Sequence, residues 1–253
     1  MTGVSVSESN PRHRHQQPAR DSEPTSPPGA TIITIDGPAG TGKSSVARQL
    51  ARRLGLDFLD TGAMYRAAAA IVLDHGIDPA DDSRVVEAVL AAGIRFDWLS
   101  DPPAIVAGGR ALGDRIRGAD VTGIVSRIAA NSELRRYMVA WQRRIAHDHP
   151  RLVTEGRDQG SVVFPSAPVK FYLDAAPRVR AARRAAQLLD AGEQVAEADL
   201  LDEILTRDRS DSSRVDGPLT CPEDAIRIDT SAMTFDQVVD VLERHVRERV
   251  AIP

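Results

Sequence analysis

The sequence predicts an α/β fold, with a parallel β-sheet covered by helices on both faces. Three observations carry that expectation. Short β-branched runs alternate with segments of helical period along most of the chain. A glycine-rich stretch, "GPAGTGKS" at 37–44, joins the first of those runs to the first helical segment. A small β-rich piece at 94–109 interrupts the alternation and reads as an insert.

Residues 1–30 are rich in Ser, Pro and polar side chains and show no hydrophobic period, so a disordered tail is expected there. Its "RHRH" at 12–15 is read as solvated rather than as a metal or nucleic-acid site. "TIITI" at 31–35 is a short β-branched run bounded by Gly and Pro, the pattern of a buried strand. Val46, Leu50 and Leu54 then recur at helical spacing over 44–55, and Gly55 ends that helix. "DFLD" at 57–60 is a brief strand. Residues 61–76 are helical, with Thr61 as the N-cap and Gly76 as the C-cap. Another helix spans 81–93. "IRFDW" at 94–98 and "AIVAGG" at 104–109 are the short strands of the insert, set around a Pro-containing turn. Helices return over 118–131 and 133–147. "RLVTEG" at 151–156 and "VKFYLD" at 169–174 are strands, followed by Arg-rich helices at about 176–191 and 197–210. "AIRID" at 225–229 is the last strand and 234–250 the last amphipathic helix.

Composition narrows the classes. The chain has 253 residues, enough for one large domain or a domain with an insert. A net charge of −4 supplies no basic field for nucleic acid. The longest apolar runs, such as "AAAAIVL" at 67–73, are too short to cross a bilayer, so no membrane partner is expected. The N-terminal stretch lacks the apolar core of a secretory signal. The single cysteine, Cys221, has no intrachain partner and suits a reducing cytoplasm. A cytoplasmic, monomeric protein is expected.

Gly37, Pro38, Ala39, Gly40, Thr41, Gly42, Lys43 and Ser44 satisfy G-x-x-x-x-G-K-[ST] in full, with a strand before and a helix after. The glycines let backbone wrap a phosphate, and successive N–H groups with the helix N-terminus face the anion. Lys43 would reach the β- and γ-phosphates of ATP, the Ser44 hydroxyl would ligate Mg²⁺, and Ser45 adds to the ATP site. Of 32 basic residues only Lys43 and Lys170 are lysine, so the loop selects a compact ammonium over the fork that fills nearly every other basic position.

The loop alone does not name the acceptor. A GTP switch needs an N-K-x-D stretch, and the chain has none. A mechanical ATPase would usually be longer, with an acidic pair closing an apolar strand, whereas "KFYLDAA" ends in Asp174 alone. A small-molecule kinase needs a second anion site. Arg66, Arg157 with Asp158 after a strand, and Arg207, Asp211 and Arg214 at helical spacing offer one.

"TIDGPAGTGKSS", "LDTGAMYR", "IRG", "EGRDQGSVVFPSAPVKFYLDA" and "RDRSDSSR" stand in the order seen in bacterial cytidylate kinases, and the chain resembles that family over 31–250. The resemblance implies a P-loop nucleoside monophosphate kinase fold with an enlarged NMP-binding insert at about 62–131; a kinase must also exclude water, and the Arg-rich helical stretch at about 184–214 is the expected short lid. It implies transfer of the ATP γ-phosphoryl group to CMP or dCMP. By matching position, Arg66 and Arg157 look like grips on the acceptor phosphate. Arg135, Asp158 and Arg214 look like cytosine readers, and Ser126, Arg207 and Asp211 like sugar contacts. Thr61 stands where the family often has Ser, and Gln159 where Met is common. Lys43, Arg66, Arg157 and Arg207 are the catalytic candidates; Arg183 and Arg184 either face ATP from the lid or are solvated. UMP as acceptor, another small-molecule P-loop kinase, and a nucleotide sensor that does not turn ATP over all stay open here.

Overall fold

The β-branched run at the start of the globular part becomes the middle strand of the sheet. In the computed structural model, which describes residues 30–190 and 192–252, β1 (Thr31–Asp36) lies between β6 (Arg151–Gly156) and β7 (Val169–Asp174). β2 (Asp57–Asp60) adds outside β6 and β8 (Ile226–Asp229) outside β7, giving the order β2-β6-β1-β7-β8 with every pair parallel. The tail expected over 1–30 lies outside the described residues, save Ala30.

Alternate residues of β1 feed two cores. Ile33 and Ile35 pack with Val46 and Leu50 of α1 (Lys43–Leu54) and with Leu242 of α8 (Phe235–Arg249). Ile32 faces the other way, into a core with Met64 of α2 (Thr61–Asp74), Val125 of α4 (Ala119–Ile128) and Leu134 of α5 (Ser132–Asp148). A sheet buried on both faces needs near-continuous apolar strands, and β1 has them.

The insert is a three-stranded antiparallel sheet. β3 (Arg95–Asp97) pairs with β4 (Ala104–Ala107), and β4 with β5 (Arg110–Ala111), after α3 (Asp82–Ala91). β5 and the 3-10 turn at Gly113–Arg117 were not expected; β5 is two exposed residues, too short for a pattern. α6 (Pro177–Asp190) and α7 (Glu197–Ser212) pair through their own small cluster of Ala181, Leu200 and Ile204, apart from both main cores.

Both caps of α2 differ from expectation by one residue. Asp60, not Thr61, caps α2: its Oδ1 accepts from the Ala63 N–H at 2.9 Å. Thr61 is the first helical residue, and its hydroxyl donates to the Glu155 carbonyl at 2.7 Å. At the other end His75 is the cap residue, and Gly76 follows at φ 61.

Candidate active site

The glycine-rich loop spans the gap from the end of β1 to the start of α1, at the carboxyl edge of the sheet where open α/β folds hold ligands. Gly37 turns there at φ 146, and a Cβ would overlap the Leu173 carbonyl of β7. Only glycine lets the chain leave the strand so close to its neighbour. Lys43 is 5% exposed and folds over its own loop, donating to the Pro38 carbonyl at 2.7 Å; the Thr41 hydroxyl donates to the same oxygen at 3.2 Å. Burial, then the nearby Arg157 charge, pulls the Lys43 ammonium down to about 7. An anion in the loop would oppose both effects by favouring the charged ammonium. Gly40, Gly42 and Ala39 complete the loop, while Ser44 and Ser45 lie in the first turn of α1.

Opposite the loop, the expected acceptor residues converge. Thr61, Arg66, Ser126, Arg135 and Arg157 line one pocket together with Asp158, Arg207, Asp211 and Arg214. These side chains come from α2, α4, α5, the turn after β6, α7 and the residues just beyond α7. Asp211 is 1% exposed and takes Arg157 Nε at 2.8 Å and Arg214 Nη2, so the helical spacing of Asp211 and Arg214 does produce a pair. Burial raises the Asp211 carboxyl, and the two guanidiniums outweigh it, leaving it lowered overall.

Asp158 pairs with Arg135 across the pocket, both 4% exposed. Burial pushes the Asp158 carboxyl up, with Arg135 and Arg214 pulling against it. The Tyr65 ring supports Arg135, its centroid 5.5 Å from the guanidinium carbon. Arg66 points its Nη1 at the insert side, donating to Thr122 Oγ1 at 2.9 Å and the Ile116 carbonyl at 3.3 Å. Arg207 has a buried Nε with no hydrogen-bond partner among the described residues, and burial followed by the Arg157 charge lowers its guanidinium to about 10. Buried cations that repel one another and keep unused donors are arranged for an anion.

A family model described as "Cytidylate kinase" matches residues 33–248. The chain belongs to the cytidylate kinase family. A cytidylate kinase of Corynebacterium efficiens is 47% identical over 84% of this chain and 93% of its own. One from Rhodococcus opacus is 44% identical over 87% and 96%, and one from Mycobacterium avium 44% over 86% and 96%.

Four residues of this cytidylate kinase family member join the site without having been expected. Glu155 closes β6 and accepts the Ser44 hydroxyl at 2.7 Å. Asp60 lies against it, its carboxyl pushed up to about 7 by burial and then by the Glu155 charge. Thus the apolar strand closed by an acid is "RLVTEG", beside β1, a signal the sequence offered. Asp36 is 1% exposed at the end of β1 and accepts two main-chain N–H groups from the turn that follows Asp158. Arg180, 2% exposed, donates to Ala39 O at 3.0 Å in the phosphate loop and to Asp208 Oδ2 at 2.6 Å on α7. Arg183 is tied instead to Thr230, at 2.6 Å to its carbonyl and 3.1 Å to its hydroxyl, whereas Arg184 is exposed. Among the described residues, no helix is long and apolar enough to cross a membrane.

Proposed function

We propose that the chain transfers the γ-phosphoryl group of ATP to CMP, and to dCMP, giving ADP and CDP or dCDP. The observation that carries this reading is the buried Arg135–Asp158 pair, set in the same pocket as Arg66, Arg157, Arg207 and Arg214, of which Arg157 and Arg207 act on the charge of Lys43 in the phosphate loop. The arginines suit a phosphate, and the pair suits a base edge. Cytosine presents an exocyclic amine for the Asp158 carboxylate and acceptors for Arg135 and Arg214. Uracil would turn a carbonyl toward that carboxylate and set two acceptors against each other in a buried site, which is costly.

Phosphoryl transfer here needs positioning more than proton chemistry. The CMP phosphate is largely dianionic at pH 7, its second pKa being about 6, so one of its oxygens attacks the γ-phosphorus without a strong base. The bond to the ADP oxygen breaks as the new P–O bond forms. Lys43 holds the donor phosphates; Arg66 and Arg157 grip the acceptor phosphate, and the Arg207 charge acts on Lys43 from the acceptor pocket. Ser126, Arg207 and Asp211 contact the sugar. Mg²⁺ fits the oxygen donors at the end of the loop: the Ser44 hydroxyl would hold it, with Glu155 and Asp60 behind. Held there, the ion would supply positive charge to offset the negative charge that develops on the transferring phosphoryl group.

The acceptor pocket encloses about 60 Å³, far short of a nucleotide. Entry therefore parts the insert, about 62–131, from the lid helices, about 184–214, and closure excludes water from ATP. One chain builds both sites, so a monomer suffices. The chemistry suits a cytoplasmic enzyme of pyrimidine nucleotide metabolism. Asp158→Ala tests the reading: kcat/KM for CMP should fall about 10²-fold or more while the KM for ATP holds. A fall in ATP affinity with intact CMP kinetics would contradict the base-reading role.

A further inference from the structure

The two halves of the site meet at one carboxylate. Asp36 is the last residue of β1, directly before Gly37 and the phosphate loop. Its Oδ1 accepts the Gln159 N–H at 2.8 Å and its Oδ2 the Gly160 N–H at 2.7 Å. Those amides belong to the wide turn at Gln159–Val163, which begins where Asp158 ends. Both oxygens are thus spent on the backbone that presents Arg157 and Asp158.

The turn has no slack around this contact. A Cβ on Gly160 would stand 2.9 Å from Thr34 Oγ1 and 3.4 Å from Asp36 Oδ2, so the turn packs straight onto β1. Gln159 is 1% exposed and links onward, accepting from Thr154 Oγ1 at 2.9 Å and donating to Gln142 Oε1 at 3.0 Å. Gln142 lies on α5 two turns beyond Arg135, so the turn and the helix that supply the paired Asp158 and Arg135 are joined twice.

We infer that Asp36 is a positioning residue for the acceptor nucleotide: it locks the Arg157–Asp158 turn to the strand that carries the ATP phosphate loop, fixing acceptor against donor. The inference rests on the reading of Arg157 and Asp158 given above. A carboxylate buried for structure alone would be a poor choice, because burial opposes its charge. Here burial pushes Asp36 up to about 7, its two amide bonds and Lys43 lower it, and the Asp158 charge raises it further. The site retains it because no neutral side chain of that size accepts from two N–H groups through two oxygens.

Asp36→Asn is the test. Asparagine keeps the volume and one acceptor, but turns an amine toward the second N–H. The expected result is a fall of more than about tenfold in kcat/KM for CMP, since small displacements of a positioning group are costly in rate. The KM for ATP should stay within about twofold, because both Asp36 oxygens bond to the turn and neither bonds to the phosphate loop. Unchanged CMP kinetics would overturn the inference, and so would an equal loss for ATP and CMP. Asp158→Ala, assayed alongside, separates the two readings: if it harms CMP turnover and Asp36→Asn does not, only the inference about Asp36 fails. Should Asp36→Asn not fold, amide exchange on the unaltered protein reads the same contact. Gln159 and Gly160 should exchange as slowly as the β1 amides, and exchange as fast as an open turn would overturn the inference.

Discussion

Lys43 is the residue on which the donor side turns. It is buried, depressed to about 7 by burial, and crowded by Arg157 and Arg207, an arrangement that an incoming triphosphate relieves. Lys43→Met removes a preorganised charge and should lower kcat by about 10²–10³-fold. The fold should survive, since the lysine's one bond goes to its own loop, at Pro38 O. Near-normal kcat in that variant would contradict the phosphate-loop assignment. Residue identity was the most legible part of the site, because the loop spacing and the arginine clusters are local patterns. Glu155, Asp36 and Arg180 were not read, because their partners lie 111, 123 and 141 positions away. No local period carries such contacts; only the sheet topology brings them together.

Elements were legible where burial imposes a period. β1, β6 and β7 are apolar runs enclosed on both faces, and their sequence bounds match the observed strands within a residue. Asp60 was missed as a cap because Thr61 beside it is equally suited in type; the choice was made by the Glu155 carbonyl, which takes the Thr61 hydroxyl. The wide turn after Asp158 was missed because its shape follows from Asp36, a tertiary contact. Two outcomes belong to this scale. Thr234 and Gln237 form a reciprocal capping box at the start of α8. Thr234→Ala should therefore cost about 1 kcal/mol of stability, read by chemical denaturation, without altering turnover. The pairing of α6 with α7 rests on a small cluster separate from the main cores, as suits a part that moves. Amides at 205–215 should gain protection from exchange when ATP and CMP are both present, and unchanged exchange there would count against a lid.

At the scale of the molecule, the parallel sheet brings the ends of β1, β2 and β6 to one edge, and with them the phosphate loop, Asp60, Glu155 and the Arg157–Asp158 turn. Helices α2, α4, α5 and α7 close over that edge with the arginines and carboxylates of the acceptor pocket. The alternation of strands and helices made this architecture readable; membership of the cytidylate kinase family agrees with it across residues 33–248. The central claim is that the pocket opposite the loop takes a cytosine nucleotide. ADP release in a coupled assay, run with CMP, dCMP, UMP, AMP and GMP in turn, tests it most directly. CMP should give the highest kcat/KM with dCMP next, and UMP should fall at least about tenfold below CMP, since it sets a carbonyl against the Asp158 carboxylate. ADP release that no acceptor raises above ATP alone, or a preference for UMP or a purine nucleotide, would contradict the claim.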